Sequence, residues 1–255
     1  MRLLLTNDDG IHAPGLRALV MELKPDFEIH VVAPESEMSA VGHGVSLAYP
    51  LRVQAVKKQG TLFGYSVSGT PADCVKIAVQ ELLKQPPDLI LSGINPGANV
   101  GVNVLYSGTV SAAIEGAFLG IPSVALSLNA RYNPDFTFTA RFSRKIIDYI
   151  NEQGLQAGTA LNVNIPALAP EQIRGVVITR QSLGQFRERY ERRVDPRGNA
   201  YYWLAGEQPH EDSAPDSDAR ALKEHKISIT PISFDLTCRE ELERLKRDVL
   251  PDLEI

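Results

Sequence analysis

Apolar residues in this chain come in short runs separated by longer stretches of helical period. The runs at 2–6, 28–33, 89–92, 123–128 and 176–179 read as strands. Helices fit between them. Pro14 suits the first turn of a helix over 14–24, in which Leu16, Leu19, Val20 and Leu23 line one face at spacings of three and four. The stretches 72–83, 111–119 and 136–151 repeat that period, and 45–67 predicts antiparallel strands inserted after the second parallel strand. Strand–helix alternation of this kind predicts an α/β fold with a mainly parallel sheet.

Past Thr179 the texture changes. Residues 185–194 and 200–204 read as two strands joined by a tight turn at Asp195, Pro196, Arg197 and Gly198, where Pro and Gly supply the turn dihedrals. Their Arg, Glu and Tyr content is too polar for a core, and a lone hairpin is marginal in water. The pair therefore reads as an oligomerisation arm or as a solvated surface flap. The segment 207–218 is acidic and irregular, 226–232 resumes as a strand, and 239–249 closes as an amphipathic helix. The expected division is a catalytic core over 1–180 and a C-terminal extension over 181–255, with the arm at about 185–206 and the final strand and helix packing on the core or a partner chain.

The composition narrows the partners. With 26 basic and 31 acidic residues the net charge is −5, which gives no electrostatic footprint for duplex nucleic acid. No run approaches the length of a membrane span, and the N-terminus enters a strand directly, so a cytoplasmic protein is expected. Cys74 and Cys238 stand far apart without metal-ligand spacing and read as thiols.

Chemistry concentrates where strands end. Leu3, Leu4 and Leu5 stop abruptly at Thr6, Asn7, Asp8, Asp9 and Gly10. In open α/β sheets ligands bind beyond the carboxyl ends of the strands. Asp9 could simply cap the following helix, but capping needs one acid, and two adjacent acids repel unless a cation or water separates them. The loop after the second strand adds Ser36 and Ser39, and the loop after the third adds Asn95 and Asn99. Carboxylate, hydroxyl and amide oxygens without clustered Cys or His suit a hard cation, Mg²⁺ or Mn²⁺. The glycine-rich stretch 93–108 then enters a helix at Ser107, Gly108 and Thr109, where free amides and the helix dipole favour an anion; an ordinary Ser or Thr cap is the alternative there. A cation site facing an anion site suits a phosphate ester.

Other motifs are excluded by spacing. There is no GxxxxGK[ST], and no GxGxxG follows the first strand. The aspartyl-phosphatase signature needs Asp where this chain has Asn7, and an amide cannot form an acyl phosphate, so water activated by the cation is the expected nucleophile. His12 and His43 are possible proton relays. Lys76 reads as a solvated helix face, and Cys74 as a buried small residue.

Five blocks now carry a resemblance: LLTNDDGIHAPG at 4–15, APESEMSA at 33–40, SGTPADCV at 68–75, SGINPGANVG at 92–101 and YSGTVSAAIEG at 106–116. In this order they make the chain closely similar to the SurE family of metal-dependent 5′/3′-nucleotidases. The resemblance implies a Rossmann-like three-layer α/β/α core and dimers or tetramers assembled through the C-terminal arm. It also implies a divalent cation, one per subunit, on Asp8, Asp9, Ser39 and Asn95. In that reading Asp8, Asp9 and Asn95 are catalytic, and Asn99, Ser107, Gly108 and Thr109 bind the substrate phosphate. The family usually has an acid near the end of the third loop, where this chain has Asn103 and Val104. The expected activity is metal-assisted hydrolysis of nucleoside 5′- and 3′-monophosphates. A non-catalytic nucleotide or phosphate sensor, a broad-specificity acid phosphatase and a glycosyl-transfer domain are the alternatives.

Overall fold

The computed structural model describes residues 1–130, 132–184, 187–207 and 214–247. The first half runs β1 (Arg2–Thr6), α1 (Pro14–Leu23), β2 (Glu28–Pro34), β3 (Val53–Lys58), β4 (Thr61–Val67), α2 (Pro71–Ile77), β5 (Leu89–Pro96) and α3 (Gly108–Phe118). The second runs β6 (Ser123–Asn129), α4 (Thr137–Gln153), β7 (Thr159–Pro166), β8 (Val176–Ile178), β9 (Arg187–Val194), β10 (Ala200–Glu207), α5 (Asp218–Lys223), β11 (Ile227–Ser233) and α6 (Arg239–Arg247).

Nine strands form one sheet in the order β3-β4-β2-β1-β5-β6-β7-β11-β8. From β4 to β7 every neighbouring pair is parallel. Side chains on a strand alternate between faces, and here both faces are covered. Leu3 and Leu5 pack with Leu16, Leu19 and Leu23 of α1 and Ile146 and Ile150 of α4. Leu4 points the other way, to Cys74 and Val75 of α2 and Ala112 of α3. Three consecutive leucines are therefore all buried, as a strand between two helical layers requires.

β1 is the strand at which the chain reverses direction across the sheet. It is flanked by β2 on one side and β5 on the other, so the loops leaving β1 and β5 part company there. That parting leaves the crevice in which doubly wound sheets bind ligands. One glycine sets how closely the crevice walls approach. A Cβ on Gly15, in the first turn of α1, would stand 2.0 Å from the carbonyl oxygen of Ile94 in β5. Only the lack of a side chain lets α1 start against the end of β5.

Several expectations need correction. Strand structure in the 45–67 region begins only at Val53, and 35–52 has bends and turns alone. β7 was not foreseen, because Asn162 and Asn164 interrupt its apolar pattern; both are fully buried in the sheet. The strand at 176–178 lies at the sheet edge, beyond β11. β11 itself pairs antiparallel with β7 and parallel with β8, so the main sheet extends past residue 180. Ser217 caps the short α5, at the end of a stretch read as irregular.

β9 and β10 form a separate antiparallel ribbon, matching the predicted pair of strands. Its outer positions 185–186 lie outside the described residues, as do 208–213 and the end of the last helix at 248–249. Tyr190, Tyr202, Trp203 and Leu204 of the ribbon are exposed, and α6 has no buried residue. Among the described residues no helix is long and apolar enough to cross a membrane.

Candidate active site

The capping explanation for Asp9 fails on the structure. α1 starts at Pro14 with Ala13 as its N-cap, and no side chain caps it. Asp9 instead lies in the turn after β1, which is closed by the Asn7 Nδ2 bond to the Gly10 carbonyl (3.0 Å) and by the Ala13 amide to the same oxygen (3.0 Å). The loop after β2 is fastened to it by the Met38 amide, which donates to the Asp8 carbonyl at 2.7 Å. That contact brings Ser39 toward the acid pair in the backbone, although the Ser39 side chain is exposed and donates to Glu37 at 2.6 Å.

α3 abuts the pair from the other side. Thr109 Oγ1 donates to Asp8 Oδ1 at 2.5 Å, a short bond of the kind charged acceptors make. A Cβ on Gly108 would lie 2.7 Å from Asp8 Cβ and 3.1 Å from Asp8 Oδ2. Hence the α3 N-terminus rests directly on the Asp8 carboxylate. Ser107 is its N-cap, accepting from the Val110 amide at 3.1 Å. The hydroxyls of Ser107 and Thr109 are thus committed within the protein, whereas the Gly108 amide, in the first turn, has no intrahelical acceptor.

Asn95 turns its Nδ2 to the Gly97 carbonyl at 2.8 Å, which leaves the carbonyl oxygen of its amide as the free acceptor. Asn99 is tied inward. Its Nδ2 donates to Ser127, its backbone amide to Asn164 Oδ1, and its carbonyl accepts from Asn162 and Asn164. The two asparagines of β7 thus hold the third loop. Val104 is buried with Val110, Ala113 and Ala125, while Asn103 is exposed.

Four buried oxygens at this edge lack a hydrogen-bonding partner: Thr6 Oγ1, Asn7 Oδ1, Asp9 Oδ2 and Ser92 Oγ. Thr6 and Ser92 are register partners at the ends of β1 and β5. Buried polar atoms are ordinarily paired, so the unpaired Asp9 and Asn7 oxygens at the end of β1 call for a partner. The electrostatics agree. Burial pushes the Asp9 carboxyl up to about 7, and the nearby charges of Asp8 and Glu37 push it the same way. Burial also raises Asp8, against the hydrogen bonds from Thr109. A cation between these groups would reverse both effects. Among the described residues no cluster of three or more His, Cys, Asp or Glu stands ready for a metal. The donor set here is two acids with neutral oxygens, which suits Mg²⁺ or Mn²⁺ and not zinc.

Two groups escaped the reading of the sequence. Glu37 is a third acid acting on the pair, and nothing in the spacing of its loop distinguishes it from Glu35. Lys76 is not a solvated face: its Nζ lies 2.9 Å from Glu115, a buried acid of α3 that also takes His43 Nε2 at 2.8 Å. His12 is exposed. Cys74 is buried, and burial raises its thiol well above the ordinary range, which excludes a nucleophile.

Fold and site together define a doubly wound α/β protein with a pair of adjacent acids at the point where its strand order reverses. The chain belongs to the SurE family, whose model, described as survival protein SurE, matches residues 3–188. A protein of Syntrophus aciditrophicus named 5′-nucleotidase SurE is 55% identical over 96% of this chain and 93% of its own length. One of the same name from Syntrophobacter fumaroxidans is 50% identical over 96% and 98%. The crystal structure of the SurE protein from Aquifex aeolicus superposes with a TM-score of 0.84 at 39% identity, covering 97% of this chain and 99% of that one.

Proposed function

We propose that this chain is a nucleotidase that releases phosphate from nucleoside 5′- and 3′-monophosphates, using one divalent cation, Mg²⁺ or Mn²⁺, held by Asp8, Asp9, Ser39 and Asn95. The observation that carries the reading is the unpaired, buried Asp9 Oδ2 next to Asp8, with the charge of Glu37 acting on both. The names of the relatives support the same substrate class. When bound, the cation would polarise a phosphoryl oxygen and acidify water.

The protein's own groups supply the rest. Asp8 is held in one orientation by Thr109 and by the packing of Gly108. The amides of Gly108 and Thr109 at the positive end of α3 bind phosphoryl oxygens, and their hold strengthens as negative charge builds. Ser107 contributes as the cap that fixes this turn, and Asn99 as the anchor of the third loop. The test is phosphate release from a panel of 5′- and 3′-monophosphates with Mg²⁺ or Mn²⁺, and its loss on chelation. Binding without release would make the protein a sensor, and turnover of nucleotide-sugars alone would make it a glycosyl-transfer domain.

The ribbon of β9 and β10, together with α6, is proposed to join copies of the chain into a dimer or tetramer. Its exposed aromatic residues and the absence of any buried residue on α6 support this. Deleting residues 187–202 is expected to lower the mass measured by light scattering to that of a smaller assembly. An unchanged mass would remove the arm from the interface.

A further inference from the structure

The loop 35–52, which carries Ser39, has no strand or helix, and Val41, Val45, Leu47 and Tyr49 along it are exposed at 36%, 43%, 91% and 82%. Only Leu51, at its end, packs on the core, so no apolar face fastens 35–50 to the body. Polar contacts do that work instead. The Met38 amide bonds to Asp8, the Gly42 amide to the Tyr106 carbonyl (3.0 Å), and the Gly44 carbonyl accepts from Thr70 Oγ1 (2.7 Å). Ser46 donates to Asp73, through its amide at 3.1 Å and its hydroxyl at 2.7 Å. Between these lies His43, which like Ser46 reaches a buried acid, here one on α3.

That acid on α3 is Glu115, whose side chain is 5% exposed. A buried carboxylate must be paired and hydrogen-bonded to remain an anion. Glu115 draws its two partners from different elements, His43 from the loop and Lys76 from α2, 72 and 39 positions away. Burial pushes its carboxyl up, but the hydrogen bonds and charges of His43 and Lys76 outweigh that and hold it below the ordinary range. Lys76 and His43 thus take one carboxylate oxygen each, Oε1 and Oε2. Lys76 is itself steadied over the Phe118 ring, 5.8 Å from its centroid. Glu115 lies on α3, the helix whose first turn rests on Asp8.

We propose that Glu115 is a positioning residue: through His43 it fixes the Ser39-bearing loop against the helix that borders Asp8, with Lys76 supplying the balancing charge. The link to the cation rests on the function proposed above, whereas the fastening of the loop does not. Supporting groups around metal ligands act in this way, by holding a ligand in place without touching the metal.

Two measurements test it on the full chain. Hydrogen exchange of metal-free protein reports the loop alone, and Mn²⁺ titration of phosphate release from AMP reports its consequence. His43→Ala and Glu115→Gln are expected to speed exchange over 35–47 and to raise the Mn²⁺ needed for half-maximal release by about tenfold. His43→Gln, which keeps an N–H donor, restores both, with melting midpoints confirming that all variants fold. Unchanged exchange in His43→Ala overturns the proposal. Faster exchange with an unchanged Mn²⁺ requirement overturns the positioning role. If wild type releases no phosphate with any cation, the proposed function fails, and exchange still decides whether Glu115 holds the loop.

Discussion

Replacing Asp9 with Asn is expected to reduce metal-dependent phosphate release on the order of a thousandfold, the equivalent of about 4 kcal/mol of lost transition-state stabilisation. The same substitution should make the metal-free protein more stable at pH 8. In that state the folded Asp9 carboxyl titrates near 7, raised by burial and by Asp8 and Glu37 from 3.8. A folded carboxyl with a raised pKa binds more protons than the unfolded one between those values. Stability therefore declines as pH rises from about 4 to about 7, and the deficit persists above. Asn carries no such penalty. Thermal melts with EDTA should show the variant above wild type at pH 8 and the two converging near pH 4. Adding Mn²⁺ at pH 8 should raise the wild-type midpoint and leave that of the variant nearly unmoved. A variant that melts below wild type at pH 8 without metal would mean that the two charges are not in conflict.

Gly108→Ala should be nearly as damaging to activity while leaving the fold in place. The new methyl would meet Asp8 Cβ at 2.7 Å and Pro71 Cγ at 3.1 Å, both parts of the packed interior with little room to retreat. Either the first turn of α3 moves off or Asp8 swings away from Thr109, and both separate the amide cradle from the acids. Overpacking of this kind costs about 1–3 kcal/mol of stability. Misplacement by about an ångström costs on the order of a hundredfold in kcat/KM. Steady-state kinetics beside thermal denaturation separate the two effects. Full activity in a folded Gly108→Ala protein would show that the α3 N-terminus takes no part in catalysis.

The skeleton of this arrangement was legible because its signals are local. Leu3 to Leu5 announce a strand covered on both faces, and the abrupt change to Asn7, Asp8 and Asp9 marks where it ends. Pro14 marks where α1 begins. What escaped is what the chain assembles over distance. β7 was hidden because its buried Asn162 and Asn164 look out of place in a strand until Asn99 arrives to bond them. Lys76 looked like a surface lysine because its partner, Glu115, is 39 residues away. Val45, Leu47 and Tyr49 give 45–52 the look of a strand, but in the folded chain all three face outward. Ser107 and Thr109 mark the helix start in the sequence, yet only in the folded chain does one hydroxyl cap the helix while the other grips Asp8.

Anomalous diffraction from crystals grown with Mn²⁺ tests the central claim most directly. The account predicts one peak per chain at the crevice, within roughly 2.0–2.6 Å of oxygens from Asp8, Asp9, Ser39 and Asn95. A peak held by other residues, or none at saturating Mn²⁺, would contradict it.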